Sequence, residues 1–135
     1  MTNTNAALPI DKQPAIKIVA MPKDVNAGGS IFGGWIMSQI DVAGAIPALE
    51  RAKGRIVTVA VNSMEFHEPV FIGDIVSCYA EVIKTGRTSI TVKVEVYSER
   101  NPSKKETVKV TEAELTYVAL DENRKPRKLP DLETE

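Results

Sequence analysis

Residues 33–53, GGWIMSQIDVAGAIPALERAK, decide the fold of this chain, because their apolar residues recur at helical spacing and they carry a single charge before Glu50. Ile36, Ile40, Ala43 and Pro47 fall near one face, with Met37, Asp41, Gly44, Ala45 and Ala48 beside it, which predicts one long helix. Pro47 lacks an amide hydrogen and crowds the preceding turn, so it is expected to bend or locally break that helix. Gly54 is the expected C-terminal stop, and Ser30 is the candidate cap at the other end. Between Ile31 and Leu49 the only charged residue is Asp41. A helix lying on a surface carries a broad charged stripe; this one is expected to be enclosed on most sides, by its own sheet and by a second subunit.

Outward from the helix the pattern turns to strands. Residues 15–20 (AIKIVA) read as a short strand, followed by the turn-rich loop MPKDVNAGGS at 21–30. On the other side, Val57, Val59 and Val61 alternate with Thr58, Ala60 and Asn62, and Ile90, Val92, Val94 and Val96 alternate with Ser89, Thr91, Lys93 and Glu95. Residues 75–84 and 106–120 add two more strands. The linkers PVFIGD, KTGR and SERNPSKKE carry the turn residues expected between antiparallel neighbours. The order strand, helix, four strands predicts an α+β antiparallel sheet with one long helix on one face, formed by a single domain over residues 15–120. Residues 1–14 read as a flexible end without the basic start and apolar run of a signal peptide. Residues 121–135, DENRKPRKLPDLETE, read as a tail too charged and proline-interrupted to pack.

Composition excludes several functions. The chain has 135 residues, with 17 basic against 18 acidic side chains and a net charge near −1, which argues against a general nucleic-acid binder. Eleven of those basic residues nevertheless lie from Lys84 to Lys128, leaving room for a local site for a polyanionic small molecule. One cysteine, Cys78, and one histidine, His67, exclude an intramolecular disulfide and make a metal cage improbable. Cys78 sits within a predicted strand, with no cation or histidine beside it in sequence, and reads as buried and inert. The weakly charged stretch 25–48 is interrupted by glycines, Asn26, Gln39, Asp41 and Pro47 and is no membrane span.

A carboxylate on an enclosed helix loses hydration and needs replacement partners. Asp41 could cap a kink near Pro47 or pair with a basic residue across an interface. Alternatively it is a general base or nucleophile in a partly dry cleft. Gly33 and Gly34 stand at the expected helix start, where unpaired amides and the helix dipole favour developing negative charge and where glycine lets a ligand oxygen approach. Taken alone, the pair reads equally well as chain flexibility before the helix.

With these residues assembled, MPKDVNAGGSIFGGWIMSQIDVAGAI resembles the loop and central helix of the hotdog-fold acyl-CoA thioesterases, in particular their YciA-like group. The likeness continues through RIVTVAVNSMEFHEPVFIGD, KTGRTSITVKVEV and TEAELTYVALDENRKPRKLP, covering nearly all of residues 21–130. It implies a hotdog fold, one long central helix wrapped by an antiparallel sheet, and hydrolysis of acyl-CoA to a free fatty acid and CoA. It also implies that Asp41 is the catalytic aspartate, Asn26 the loop asparagine that positions water or substrate, and a Gly33 or Gly34 amide the group that polarises the carbonyl. The family builds its sites between two subunits, and its YciA-like members assemble dimers as a trimer of dimers, so a homohexamer is implied.

For the CoA moiety the resemblance implies the turn of Lys84, Gly86, Arg87, Thr88 and Ser89, which without it reads as an ordinary hairpin. Arg55 and the KPRK of residues 125–128 are further cationic candidates, and Phe32 is the aromatic candidate beside the Gly-Gly step. Met64, Phe66, Trp35 and Tyr79 read as core or interface packing. The sequence departs from the commoner family pattern around Glu65, His67 and Glu68. His67 lies just after a predicted strand and away in sequence from the helix entry, which argues against a hydratase that would use it. The resulting expectation is a cytoplasmic acyl-CoA thioester hydrolase with no metal or organic cofactor, no nucleic-acid partner and no membrane insertion. The alternative is a non-catalytic acyl-CoA-binding or regulatory module, which has no need of Asp41.

Overall fold

The computed structural model describes residues 6–101, 103–104 and 106–132. One helix, α1 (Gly33–Ala52), lies across a five-stranded antiparallel sheet. The strands are β1 (Ile16–Val19), β2 (Ile56–Phe66), β3 (Ile75–Thr85), β4 (Ser89–Arg100) and β5 (Glu106–Ala119), in the spatial order β1-β3-β4-β5-β2. The three strands that follow one another through turns form the centre, and the two that flank the helix in sequence take the edges. This is an α+β fold in the hotdog arrangement that the resemblance implies.

The core lies between α1 and the sheet. Ile36, Ile40, Ala43 and Ala48 are buried in one cluster with Val92, Val94, Val96, Leu115 and Tyr117. Burying each large aliphatic side chain contributes roughly 1.5–3 kcal/mol, so this face of α1 fixes the helix on the sheet. Enclosure is one-sided within a single chain, since Met37, Val42 and Leu49 remain exposed on α1.

Both helix ends differ from expectation. The helix runs unbroken through Pro47 to Ala52, with packing outweighing the amide bond that the proline cannot make to Ala43. The left-handed residue that ends it is Lys53 (φ 53°, ψ 43°), one position ahead of Gly54. Gly54 serves another purpose, because a Cβ there would stand 2.9 Å from the Arg127 guanidinium. At the start, Phe32 takes the cap position and no side chain caps the helix. Ser30 is turned instead toward Asn26, whose Oδ1 accepts from its amide.

The segment after β5 is packed over its described part, against the expectation of a loose tail. Leu129 is buried, and its amide donates to the Arg87 carbonyl at 2.9 Å. Arg127 donates through Nε to the Leu120 carbonyl at 2.9 Å and through Nη2 to the Ala52 carbonyl at 2.8 Å. Arg51 donates to the Pro130 carbonyl at 2.7 Å. One of the charges that suggested solvation, Arg127, is thus spent on carbonyls at the end of α1 and in the segment itself, while Glu122, Arg124, Lys125 and Lys128 stay exposed. Residues 133–135 lie outside the described residues.

The other end of the chain is also engaged. The Ala6 amide donates to the Thr107 carbonyl at 3.0 Å, the Ala15 amide to Cys78 at 2.8 Å, and Lys12 lies 3.4 Å from Glu81. Residues 6–14 therefore cross the sheet on the face away from α1, while residues 1–5 of the expected flexible end lie outside the described residues.

Arg127→Ala is expected to lower the unfolding free energy by about 1–3 kcal/mol, since two buried-end carbonyls lose a charged donor. Arg127→Lys should recover only part, because an ammonium lacks the planar fork that spans both acceptors. Chemical denaturation at constant slope measures this, and an unchanged midpoint in Arg127→Ala would refute the clamp.

Candidate active site

Asp41 sits midway along α1 and receives two hydroxyl donors from the sheet. Thr58 Oγ1 donates to its Oδ1 at 2.7 Å. The Tyr117 hydroxyl lies 2.8 Å from the Asp41 main-chain carbonyl and 3.2 Å from Oδ1. No cation pairs with this carboxylate among the described residues, and both of its donors come from the sheet, so neither the ion-pair nor the kink-cap reading describes the single chain. Burial, then the neighbouring Asp41 charge, hold the Tyr117 hydroxyl well above the ordinary tyrosine range, so it stays a neutral donor.

Thr58 reaches Asp41 because it pairs in register with Tyr117 and shares its face of the sheet, and the irregularity of β2 lies beyond it. Strict alternation along Val57, Val59 and Val61 predicts one face for the valines and the other for Thr58. Two register shifts against β5, between Thr58 and Ala60 and between Val61 and Ser63, break that alternation. Thr58, Val61 and Met64 all turn to the α1 side. Bulges re-aim side chains in this way, and they concentrate beside functional sites. With Met37, Ser38 and Leu115 these residues line a cleft of about 240 Å³ around Asp41. The cleft is apolar apart from the carboxylate and two hydroxyls, a wall suited to an alkyl chain with one reactive group set into it.

The loop before α1 is tied by Asn26. Its Oδ1 accepts from the amides of Gly28 at 2.8 Å and Ser30 at 3.3 Å, and its Nδ2 donates to Ser30 Oγ at 3.3 Å. This local turn delivers the chain to Gly33 and Gly34, whose amides have no intrahelical acceptor. Phe32 is exposed, and its ring lies 3.4 Å from where a Gly34 Cβ would stand. Gly33 opens onto a groove of about 330 Å³ shared with Phe66, His67, Glu68 and Val70. The structure thus brings His67 beside the helix entry from which sequence distance had separated it.

Gly33 and Asp41 are eight residues apart on one helix, which sets them about 12 Å apart along its axis. Within one chain, then, Asn26, Gly33 and Gly34 do not meet Asp41.

The cationic candidates gather at the opposite end. Lys84 and Ser89 flank the β3–β4 turn, with Gly86, Arg87 and Thr88 between them. A Cβ on Gly86 would stand 2.6 Å from Ser89 Oγ, so a side chain there would turn that hydroxyl aside. Arg87 is exposed, and the Leu129 amide on its carbonyl sets Lys128 beside it. Arg55 lines a neighbouring hollow of about 370 Å³ with Lys53 and Arg127. Packing of the C-terminal segment is what assembles this end, and charge counting along the sequence missed it. Cys78 is buried as expected, its thiol pushed up to about 12 by burial. Among the described residues no group of three or more His, Cys, Asp or Glu side chains could hold a metal, and no helix is long and apolar enough to cross a membrane.

A fold of this kind, with a carboxylate on its central helix, is the ground on which known proteins can be compared. Residues 28–104 match the thioesterase superfamily model. The acyl-CoA thioester hydrolase YciA of Salmonella typhimurium is 50% identical over 117 residues, 85% of this chain and 88% of that protein. Among solved structures, the hexameric broad specificity acyl-coenzyme A thioesterase HI0827 superposes with a TM-score of 0.85 at 47% identity, covering 97% of this chain and 89% of that one. An acyl-CoA hydrolase of Staphylococcus aureus, solved in complex with butyryl coenzyme A and coenzyme A, gives 0.79 at 31% identity over 89% of this chain and 73% of that one. An aspartate-to-alanine mutant of each has been crystallised, and an asparagine-to-alanine mutant of the second. The chain belongs to the thioesterase superfamily, among the relatives of YciA.

In an Asn26→Ala variant the amides of Gly28 and Ser30 lose their side-chain acceptor. Their hydrogen exchange should accelerate by about tenfold, the equivalent of one ordinary hydrogen bond, while exchange in β4 stays unchanged. Equal rates in both proteins would show that the loop holds its shape without Asn26.

Proposed function

We propose that this protein hydrolyses acyl-CoA thioesters to a free fatty acid and CoA, with Asp41 as its catalytic carboxylate. The observation that carries the reading is a carboxylate set in an apolar cleft, with Oδ1 occupied by Thr58 and Tyr117 and Oδ2 without a partner among the described residues. Such an oxygen can take a proton from water as the water adds to the thioester carbonyl, or attack the carbonyl itself and form an anhydride that water then opens. Either way the carbon–sulfur bond breaks and the thiolate leaves, protonated, as CoA. The carboxylate, water and backbone amides suffice for this chemistry, so the reading includes no metal or organic cofactor.

An oxyanion donor must lie about 3 Å from the developing charge, far closer than the spacing along α1 allows within one chain. The Gly33 or Gly34 amide and Asn26 therefore come from a second copy, whose helix runs antiparallel beside the first. The free edge of β2 supports this assembly, being 11 residues long with Val57, Val59 and Val61 exposed along it. Edges of this kind invite pairing, and a two-fold pairing produces two equivalent sites. Relatives described as hexameric support a trimer of such dimers here. The CoA phosphates are read onto Lys84, Gly86, Arg87, Thr88 and Ser89, with Arg55 near, and Phe32 onto the substrate side of the Gly-Gly step.

The test is release of free thiol from a panel of short- to medium-chain acyl-CoAs. Asp41→Asn should assemble normally and lose about 10²- to 10⁴-fold in turnover; wild-type turnover in that variant, or CoA binding without thiol release by the wild type, would overturn the reading. Arg87→Ala should weaken CoA binding by about 1–3 kcal/mol and act on KM rather than kcat, because a remote anchor serves ground and transition states alike. Unchanged KM and salt sensitivity would move the phosphate site to Arg55 or Lys128.

A further inference from the structure

Gly44 and Tyr117 form a matched pair one turn from Asp41. A Cβ on Gly44 would stand 2.4 Å from the Tyr117 hydroxyl and 3.3 Å from both Tyr117 Cζ and Val94 Cγ2. The missing side chain is thus the space into which the hydroxyl fits. Tyr117 is buried and rises from β5 through the core, so its ring is held by packing on every side. At its tip the hydroxyl meets both the main-chain carbonyl and Oδ1 of Asp41. Its single proton is shared between those two acceptors, which ties the carboxylate to the backbone of its own residue.

We propose that Tyr117, admitted by Gly44, is a positioning residue that holds the Asp41 carboxylate with Oδ2 turned to the cleft and Oδ1 turned to the sheet. This rests on the reading of Asp41 as the catalytic carboxylate. Thr58 alone, with one hydrogen bond to Oδ1, leaves the carboxylate free to rotate about that bond. A second donor on the same oxygen, fixed to a different strand, removes the rotation. Both donors are neutral hydroxyls, and they orient the charge without cancelling it, as a lysine or arginine would. The groups facing the carboxylate are Met37 and Ser38 from α1, Thr58, Val61 and Met64 from β2, and Leu115 and Tyr117 from β5. Of these only Tyr117 titrates, and it remains protonated, so it and Thr58 are the two neutral donors that hold Oδ1.

Four proteins test this against the wild type: Tyr117→Phe, Gly44→Ala, their double variant, and Asp41→Asn. Tyr117→Phe keeps the ring and removes only the donor. Its kcat should fall roughly 10- to 150-fold with KM within about twofold, the scale of one hydrogen bond to a charged group. Gly44→Ala should displace the hydroxyl and lose at least as much. In the double variant the clashing oxygen is gone, so turnover should be no lower than in Tyr117→Phe alone, a non-additivity that two independent defects would not give. If Tyr117→Phe changes only thermal stability and leaves kcat as in the wild type while Asp41→Asn is inactive, the positioning role is wrong and the function stands. If Asp41→Asn turns over like the wild type, both fall together.

Discussion

A helix with one charged side chain between Ile31 and Leu49 has to be covered, and covering it dictates the rest of the molecule. The sheet covers one face, where Ala43, Gly44 and Ala48 are small enough for strands to approach closely and Ile36 and Ile40 fill the space between. The other side keeps Met37, Val42 and Leu49 in water, an unfavourable exposure for three large apolar groups on one helix. The neighbouring edge strand β2 exposes Val57, Val59 and Val61 as well. On the proposed reading a second copy covers this side, so the force that buries the helix and the force that assembles the protein are the same hydrophobic one.

That burial also sets the chemistry. A carboxylate in an apolar cleft would normally be neutralised by a cation or by a proton. Asp41 is met instead by two hydroxyls, which satisfy one oxygen and leave the charge in place. The arrangement needs three accommodations at once: a glycine at 44 to admit Tyr117, a tyrosine long enough to cross the core, and a bulged β2 to bring Val61 beside Thr58 in the cleft wall. None of the three is favourable locally. A glycine weakens a helix by about 1 kcal/mol relative to alanine, and a bulge gives up ladder hydrogen bonds. Their coincidence around one carboxylate is what supports the proposed reading of Asp41.

The elements were legible in the sequence because each rests on a periodicity that the core enforces. The helix at 33–52 and the four long strands follow directly from apolar spacing, and Asp41 stood out as the one charge on an apolar helix. What was illegible depended on partners distant in the chain. Alternation placed Thr58 opposite the valines, but its nearness to Asp41 rests on its pairing with Tyr117, and only the register shifts against β5 bring Val61 to the same cleft. Tyr117 lay in a strand with nothing local to link it to a helix residue 76 positions away. Charge density marked residues after 120 as a tail, yet Arg127 and Arg51 use their charges on carbonyls and fold it in. The left-handed stop at Lys53 was misplaced by one residue because Gly54 is glycine for the sake of Arg127, not of the helix.

The length of α1 carries a last consequence for how such a site can work. A helix offers its dipole and free amides only at its first turn, and the enclosed carboxylate lies about 12 Å further along. Shortening that distance within one chain would bring Asp41 to the exposed entry loop, where water would solvate it and the cleft would lose its apolar wall. Keeping the carboxylate in the cleft therefore forces the electrophilic half of the proposed site to come from elsewhere. An antiparallel copy of the same helix supplies it at no cost in new sequence, since every chain contributes one carboxylate and one set of amides. On this reading the two-fold relation is part of the reaction geometry, and a single chain, however well folded, holds two halves of different sites.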